Sequence, residues 1–329
     1  MSKVLITGAS GFVGSFLVEE ALERGFDVYA GIRNSSSRKF LQDKRIRFFN
    51  IDLSSRSQLE KALKKEKFDY IIQNAGVTKA KNEDTYYRVN AQAVDDFVQV
   101  LKHMDAVPEK FVMISSLAAF GPADNKEEDL VTRQSQPQPV TVYGRSKLRG
   151  EQLLRQHEGF PYSIIRPTAV YGPREEDLLT VYKMINLKLE LMIGNQDQRL
   201  TFVYVKDLVR AILDVMIMSK KRSDYFVTDG NVYSATEFND EIKKLLKTTT
   251  LKLKLPVSLV RIMAILSEKM SSLSGNYPAL NLEKVKELEC RSWECDISNL
   301  KEDINFQPAY SLSEGLKETI DWYKLHNIL

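Results

Sequence analysis

The residues with the clearest chemical potential are a tyrosine and a lysine in the segment VTVYGRSKLRGEQLL. Tyr143 and Lys147 stand four positions apart, so on a helix they share one face. A lysine ammonium close to a phenol stabilises the phenolate. We therefore expect it to lower the pKa of Tyr143 and to make this hydroxyl a proton donor or acceptor near neutral pH. Because tyrosine and lysine are both common in this chain, the pair alone is a weak signal.

Two adjacent serines add a hydrogen-bond donor. Ser115 and Ser116 follow the apolar run FVMI, which predicts a strand. Ligands of parallel α/β sheets bind at the carboxyl ends of the strands, where a serine hydroxyl can hold the substrate oxygen that Tyr143 protonates. Without Tyr143, serines at a strand end would be interpreted as structural.

Three glycines near the N-terminus predict a site for a diphosphate. The segment VLITGASGFVGSFLVEE places Gly8, Gly11 and Gly14 between a strand pattern and a helical one. Helix N-terminal amides favour anions, and a side chain at Gly8 or Gly11 would hold the ligand away. Gly14 would let the helix pack closely on the sheet. The spacing G-x-x-G-x-x-G departs from the G-x-G-x-x-G fingerprint, so the assignment depends on the flanking strand and helix.

The end of the second predicted strand indicates which dinucleotide is bound. An acidic residue about 20 positions beyond the glycine loop normally holds the ribose hydroxyls of NAD, but Arg33 stands there in this chain. A guanidinium pairs well with a 2′-phosphate, so NADP(H) is favoured and NAD(H) stays open. The alternative is a solvated basic loop. Asp52, after the third strand, either accepts a hydrogen bond from the adenine amino group or serves as a helix cap.

These side chains require a scaffold that brings strand ends together. Apolar runs typical of strands buried on both faces alternate with helical periodicity up to about residue 228. The predicted strands are Val4–Thr7, Val28–Ile32, Ile46–Ile51, Tyr70–Asn74, Phe111–Ser115, Tyr162–Arg166 and Tyr225–Thr228. The predicted helices are Phe12–Arg24, Leu59–Lys65, Tyr86–Leu101 and Val140–His157. The alternation predicts an α/β fold with a doubly wound parallel Rossmann sheet.

The chain is expected to divide into a cofactor-binding domain and a smaller, mostly helical C-terminal substrate lobe. Residues 1–167 would form the Rossmann domain, with 200–230 returning to it, and residues 168–199 and 231–329 would form the lobe. The charged and Pro-rich segment Asp124–Pro139 is predicted to be a surface loop.

One segment of the lobe, 251–282, has a wide apolar face with flexible methionines. Its apolar residues are Val257, Leu259, Val260, Ile262, Met263, Ala264 and Leu266. Ordinary packing within the lobe is the favoured interpretation, followed by a lid over the substrate. Contact with a membrane surface beside Lys252, Lys254 and Arg261 is the least favoured.

Composition excludes several classes of protein. The chain has 329 residues with 47 Lys and Arg against 44 Asp and Glu, so it lacks the basic excess typical of nucleic-acid binding. Two cysteines and three histidines predict no metal site and no disulfide framework, and we expect both thiols to be inert. No apolar run approaches the roughly 18 residues of a transmembrane helix, and the N-terminus lacks a leader pattern. A cytoplasmic location is therefore expected.

Taken together, the motifs resemble those of the extended short-chain dehydrogenase/reductase family over nearly the whole chain, in its epimerase/dehydratase-like branch. The matching segments are TGASGFVG, DL at 52–53, NAG at 74–76, VN at 89–90, SSLAAFG, YGRSK, RPTAVYGP and FVYVKDLVRA. The resemblance is closest in character to dihydroflavonol and 3β-hydroxysteroid reductases.

The resemblance implies roles for individual residues. Tyr143 would be the general acid/base, Lys147 its partner and a ligand of the nicotinamide ribose, and Ser116 the donor to the substrate oxygen. The implied cofactor site consists of Gly8, Ser10, Gly11, Phe12, Val13, Gly14, Arg33, Asp52, Leu53, Asn74, Ala75, Gly76, Asn90, Ser115, Pro167 and Val170. Asn90 would support Lys147 or be an ordinary helix asparagine, and Arg166 is expected to form structural ion pairs.

At some positions this chain differs from the motifs of particular subclasses of the family, and these differences limit the reactions that can be expected. Dehydratases of this family carry Asp-Glu directly after the catalytic threonine, whereas Leu117 and Ala118 stand there, so β-elimination has no acid/base pair. Nucleotide-sugar enzymes commonly carry an arginine where this chain has Leu200, although Arg199 is adjacent. A nucleotide sugar is therefore disfavoured without being excluded.

We therefore predict an NADP(H)-dependent oxidoreductase that interconverts a ketone and a secondary alcohol on a partly apolar small molecule. A nucleotide-sugar 4-epimerase with tightly bound NAD is the first alternative, and a non-catalytic NADP-sensing regulator the second. The resemblance also implies a homodimer that pairs through the helices predicted at Tyr86–Leu101 and Val140–His157.

Overall fold

The centre of the molecule is a seven-stranded parallel sheet with helices on both faces. The computed structural model describes residues 1–64, 66–124, 130–194, 197–274 and 280–329. From edge to edge, the strands are β3 (Arg47–Asn50), β2 (Asp27–Ile32), β1 (Lys3–Thr7), β4 (Tyr70–Gln73), β5 (Lys110–Ile114), β6 (Tyr162–Pro167) and β11 (Ser223–Val227). The chain winds outward from β1 to β3 and then in the opposite direction from β4. The doubly wound Rossmann fold is confirmed, and its ligand crevice lies between β1 and β4.

Helices of the connections cover both faces of this sheet. They are α1 (Phe12–Glu23), α2 (Arg56–Leu63), α3 (Glu83–Tyr87), α4 (Ala93–His103), α5 (Val142–Gln156) and α7 (Val205–Met218). A π-helical turn at Arg88–Gln92 joins α3 to α4, and a short 3-10 turn follows β5 at Leu117–Ala119.

In the second lobe, the described residues form helices and three two-stranded sheets. Its helices are α6 (Leu179–Asn186), α8 (Ala235–Leu246), α9 (Val257–Ser274), α10 (Leu282–Glu289), α11 (Ser298–Ile304) and α12 (Leu312–Leu325). The short strands pair as β7 (Ala169–Tyr171) with β10 (Phe202–Tyr204), β8 (Leu189–Ile193) with β13 (Leu251–Leu255), and β9 (Arg199–Leu200) with β12 (Tyr233–Ser234).

All seven predicted strands are present, with ends that differ by two residues or fewer. The prediction succeeded because most of these strands are buried on both faces, so their apolar residues form nearly uninterrupted runs. The edge strand β3 is the exception, since only Phe49 is buried there. The helix predicted at Leu59–Lys65 instead spans α2, and Lys65 lies outside the described residues. Of the predicted loop Asp124–Pro139, residues 125–129 also lie outside them, and 130–139 contain no helix.

The sequence analysis missed the short strands of the second lobe. The segment LKLKL at β13 alternates as a strand should, but its partner β8 precedes it by about sixty residues. Local periodicity carries no information about a partner at that distance, so the segment was grouped with the helix that follows it.

The lobe shares a hydrophobic core with the Rossmann domain. One cluster of buried side chains includes residues of α1 and α7 together with Leu316, Ile320 and Tyr323 of α12. A second cluster fills the opposite face of the sheet beneath α2 and α4. The lobe is therefore continuous with the domain that it covers, and the boundary after residue 167 remains a prediction.

A buried ion cluster joins α5 to the sheet. The Arg166 guanidinium on β6 donates to both oxygens of Glu151 on α5, at 2.9 and 2.7 Å, and to Asp224 on β11 at 2.6 Å. The Ser115 hydroxyl donates to the same Glu151 carboxylate at 2.5 Å. Arg166 thus has the structural role expected from the sequence, because its charge is paired with Glu151 and Asp224 within the core.

Replacing Arg166 by methionine tests this cluster. Arg166→Met would leave Glu151 and Asp224 buried without their main partner, so we expect a loss of about 3–5 kcal/mol in the free energy of unfolding. As control, Lys317→Met removes an exposed ion pair with Asp321 and should cost at most about 0.5 kcal/mol. Urea denaturation of both variants provides the comparison. Equal midpoints would show that the cluster contributes little to stability.

Candidate active site

The turn between β1 and α1 has the features of an anion site. Gly8 has a φ of +63°, and Gly11 precedes the first helical residue in an extended conformation. The N-terminus of α1 has no side-chain cap and no acidic residue in its first turn. The first amides of a helix lack intrahelical acceptors, so those of Phe12 and Val13 are positioned to receive a phosphate.

The three glycines satisfy different constraints. A Cβ on Gly14 would lie 2.1 Å from the Gly8 carbonyl oxygen, which explains the close packing that the sequence predicted. A Cβ on Gly8 would lie 2.8 Å from the Ala75 Cα, so this glycine is already required by the fold and not only by a ligand. At Gly11 the nearest atom would be 3.3 Å away, and the space beyond it remains for a ligand.

The loop after β4 lies against this turn. The Ala75 amide donates to the Thr7 hydroxyl at 3.1 Å, and the Asn74 side chain donates to the Gly8 carbonyl at 3.3 Å. Residues 74–76 and the glycine turn therefore form one continuous edge at the switch point of the sheet, as expected for a dinucleotide trough.

Arg33 and Asp52 lie beyond the neighbouring strands β2 and β3. Arg33 is exposed directly after β2 and forms no ion pair with the residues that the structure describes. Asp52 accepts a hydrogen bond from the Ser54 amide at 2.9 Å, which lowers the pKa of its carboxyl, and the charge of Arg33 contributes. Asp52 thus caps a turn, while α2 begins after Ser55. The position of Arg33 remains compatible with a 2′-phosphate.

The catalytic candidates come together where β5 ends and α5 begins. The Thr141 side chain caps α5 by accepting from the Gly144 amide at 3.1 Å, and this fixes Tyr143 in the first turn. Lys147 follows one turn later, with its Nζ 6.0 Å from the centroid of the Tyr143 ring. That ammonium donates to the Ile114 carbonyl at the end of β5, at 2.8 Å.

The predicted direction of the Tyr143 pKa shift is wrong. Burial raises the pKa of Tyr143 to about 12, and a hydrogen-bonding interaction with Ser116 offsets this only in part. Burial also lowers the pKa of Lys147 to about 8, with the nearby Glu151 opposing the change. Desolvation therefore outweighs any effect of the lysine on the phenol, and Tyr143 is protonated at neutral pH.

The two serines have separate functions. Ser116 accepts a hydrogen bond from the Ala118 amide at 3.1 Å and interacts with Tyr143. The Ser115 hydroxyl is committed to Glu151, so any contact of Ser115 with a dinucleotide has to come from its backbone. Both serines are candidate site residues from the sequence, but only the Ser116 hydroxyl is directed at the candidate catalytic residues.

Asn90 is buried in the π-helical turn and is not a solvent-facing helix residue. Its side chain bonds both the amide and the carbonyl of Val77 at 2.9 Å, and donates to Ser146 of α5 at 3.0 Å. A Cβ on Gly76 would lie 3.0 Å from Asn90 Oδ1 and 3.1 Å from Lys147 Nζ. Asn90 therefore joins the loop after β4 to the helix that carries the lysine.

The segment predicted to meet the nicotinamide contains an unsatisfied group. Pro167 ends β6 and Val170 lies in β7, half-buried. Between them, the Thr168 hydroxyl is buried and has no hydrogen-bond partner within the described part of the chain. An unpaired buried hydroxyl is costly, so a ligand that pairs with it would be stabilised. The sequence analysis passed over Thr168, although it stands within the quoted motif RPTAVYGP.

A contact from the second lobe also escaped prediction. The Glu283 carboxylate at the start of α10 accepts a hydrogen bond from the Val142 amide, at the N-terminus of α5. Glu287, one turn later, adds to the rise of the Tyr143 pKa. These acidic residues lie about 140 positions from α5, so no local pattern could have revealed them.

The fold and the site together define an NAD(P)-dependent enzyme of the extended short-chain dehydrogenase/reductase type. The sequence profile of the NAD-dependent epimerase/dehydratase family matches residues 4–227, and the chain belongs to this family. The family resemblance inferred from the motifs is thereby confirmed. No helix in the described ranges is long and apolar enough to cross a bilayer.

Known relatives include proteins with different reactions. A ceramide reductase of Caulobacter vibrioides is 24% identical, over 98% of this chain and 94% of that protein. The UDP-glucose 4-epimerase of Vibrio cholerae is 25% identical, over 96% of this chain and 94% of that protein. The crystal structure of the UDP-glucuronic acid 4-epimerase of Bacillus cereus in complex with NAD has a TM-score of 0.76 at 22% identity, covering 98% of this chain and 99% of that one.

Two glycine variants separate folding from dinucleotide binding. Gly14→Ala should destabilise the protein by about 1–3 kcal/mol or more, because the new methyl group collides with the Gly8 carbonyl. Gly11→Ala should cost less than about 1 kcal/mol yet weaken dinucleotide binding at least roughly tenfold, because its methyl group enters the ligand space. Thermal unfolding and titration with NADPH measure the two effects. Wild-type affinity in Gly11→Ala would contradict a phosphate site at this turn.

Proposed function

We propose that this protein is an NADP(H)-dependent reductase that converts a ketone on a partly apolar small molecule into a secondary alcohol. The observation that supports this best is the convergence of Ser116, Tyr143 and Lys147 between β5 and α5, next to the glycine turn. A hydroxyl, a phenol and an ammonium at the carboxyl edge of a Rossmann sheet are the groups that carbonyl reduction requires.

The roles follow from the environment of each group. When bound, NADPH supplies a hydride to the carbonyl carbon. The substrate oxygen would accept hydrogen bonds from Ser116 and Tyr143, and Tyr143 would give it a proton as the carbonyl becomes an alkoxide. Lys147 is oriented by the Ile114 carbonyl, and its charge stabilises the phenolate that remains.

At neutral pH, Tyr143 is in the protonation state that reduction requires. At a pKa of about 12, the phenol is protonated at neutral pH and can donate at once. Alcohol oxidation would instead require a phenolate as base, which is scarce near neutral pH. Oxidation by this site should therefore accelerate as the pH rises, whereas reduction should not.

Arg33 supports the choice of NADP(H) over NAD(H). Its side chain is exposed at the end of β2 and forms no ion pair within the described part of the chain, so it is available for a phosphate. The site has no acidic residue at this position to hold the ribose hydroxyls of NAD. The B. cereus relative was crystallised with NAD, so this preference is a property proposed for the present chain alone.

Two observations support a partly apolar substrate. Arg199, the candidate clamp for a substrate diphosphate, is paired with Glu294. The similarity to a ceramide reductase extends over nearly the whole chain, and its name describes reduction in a lipid. A nucleotide-sugar 4-epimerase remains the second candidate, because the V. cholerae relative matches over a similar length. The sensing-regulator alternative is disfavoured because Tyr143 and Lys147 are both in place. The homodimer expected from the resemblance remains a prediction.

Tyr143→Phe tests the proposed chemistry. The variant keeps the ring but loses the proton donor, so we expect the turnover number to fall by a factor of about 100 or more with NADPH affinity nearly unchanged. The matched control is Tyr70→Phe, because the Tyr70 hydroxyl bonds Glu109 at the amino end of β4, away from the strand carboxyl ends. NADPH oxidation with long-chain ketones is the assay. Turnover in Tyr143→Phe equal to that of the control would remove Tyr143 from its role, and epimerisation of UDP-glucose without added cofactor would favour the alternative.

Arg33→Ser tests the cofactor preference. Loss of a charge-assisted contact to the 2′-phosphate should raise the KM for NADPH about tenfold or more and leave the KM for NADH little changed. Arg47→Ser, at the amino end of β3, removes a comparable exposed arginine far from the strand carboxyl ends. Steady-state kinetics of each variant with NADPH and with NADH give the ratio of the two KM values. An equal effect on NADPH and NADH would indicate that Arg33 does not contact the phosphate.

A further inference from the structure

Helix α9 exposes an apolar stripe that no other described part of the chain covers. Its inward side is narrow: Val260 and Ala264 are buried against α10. The outward residues are exposed over 42% to 72% of their surface, and they are Leu259, Ile262, Met263, Leu266 and Met270. Their spacing of three, four, seven and eleven positions from Leu259 places them on one helical face. Ordinary packing, the interpretation favoured from sequence, therefore holds only for the inward side.

The neighbouring two-stranded sheet continues the apolar surface. Strand alternation in β8 and β13 puts Leu191, Leu251 and Leu253 on the same face as Ile193 and Leu255. Ile193 and Leu255 pack against α9, whereas the three leucines are exposed. Strand β13 leads directly into α9 through a single proline. We name the exposed leucines and the α9 stripe the apolar tip.

The charges around the apolar tip are mainly positive. Residues 251–270 contain Lys252, Lys254, Arg261 and Lys269 but a single acidic residue, Glu268. Arg261 is paired with Glu289, and Lys252 lies 3.9 Å from Glu190, so part of this charge is compensated. An excess of basic side chains beside an apolar face is the pattern of helices that lie in a membrane interface.

We propose that the apolar tip docks on the surface of a lipid bilayer that contains anionic lipids, with α9 lying in the plane of the interface. The stripe would enter the boundary between head groups and acyl chains, and the basic residues would contact lipid phosphates. This is a peripheral contact, so it requires no transmembrane helix. It contradicts the low rank that the sequence analysis gave to membrane contact.

Two other occupants fit less well. A second copy of the chain, related by a two-fold axis, would bring the basic residues of both tips together, and like charges oppose such pairing. If α9 were a lid over the substrate, its apolar side would have to face α5, the helix that carries Tyr143 and Lys147. In the structure, α9 packs on α10 through Val260 and Ala264, and α10 contacts α5 through Glu283, so the exposed stripe lies on the side of α9 that faces away from α10. The proposal does not depend on the chemistry of Tyr143.

The test is sedimentation of the full chain with vesicles of phosphatidylcholine alone or mixed with phosphatidylglycerol. The wild type should bind the mixed vesicles. The double variant Ile262→Ser with Leu266→Ser should bind at least about tenfold more weakly. As matched control, Ile217→Ser with Met218→Ser removes two exposed apolar side chains at the end of α7 and should bind as the wild type does. Replacing Lys252 and Lys254 by glutamine should weaken binding to the mixed vesicles about fivefold per lysine.

Two further measurements keep the result interpretable. NADPH binding by each variant shows whether it has folded, and Ile262→Trp reports insertion through a blue shift of its fluorescence when vesicles are added. Failure of the wild type to bind either vesicle, or equal binding by the stripe variant and the control, would overturn the proposal. A dimer in solution that dissociates only in the stripe variant would identify the tip as an interface between copies and would overturn it too.

Discussion

The geometry of the candidate active site depends on one buried carboxylate, that of Glu151. It lies one helical turn beyond Lys147 and two beyond Tyr143 on α5, and its oxygens are held by Arg166 of β6 and by Ser115 at the end of β5. Because three elements meet at this group, the helix cannot slide or rotate relative to the strand ends. The same carboxylate also limits how far burial can lower the pKa of Lys147. One face of α5 thus carries both the structural carboxylate of Glu151 and the proposed catalytic residues Tyr143 and Lys147.

Burial shifts the pKa values of the Tyr143 phenol and the Lys147 ammonium in opposite directions. The protein keeps Tyr143 neutral by removing it from water and makes Lys147 easier to deprotonate for the same reason. At neutral pH the phenol is uncharged, while a pKa of about 8 leaves most of the Lys147 ammonium charged. These two groups alone do not distinguish an apolar substrate from a nucleotide sugar. Relatives with nearly the same fold act on nucleotide sugars, so the second lobe has to provide the discrimination.

The sequence revealed the parts of the molecule that depend on local pattern. The seven strands were predictable because each contains a run of apolar or aromatic residues, and the glycine turn, Ser116 and the Tyr143–Lys147 pair were recognisable by spacing. Three features were not. The pKa of Tyr143 depends on desolvation, the contact of Glu283 with α5 joins distant segments, and the exposure of the α9 stripe depends on what else packs nearby. Each is a property of the assembled structure and not of a short window of residues.

The core that α12 shares with α1 and α7 constrains how such an enzyme can diversify. The last helix packs against α8, β7 and β10, and its buried residues belong to the same continuous cluster as those of α1 and α7. Loops and the distal part of the lobe can be exchanged between relatives without disturbing this contact. Exchange of the entire C-terminal half would remove the α12 residues from the core of the Rossmann domain and leave a cavity there. New specificities in this architecture should therefore arise by changes at the far end of the lobe, while its last helix is retained as part of the shared core.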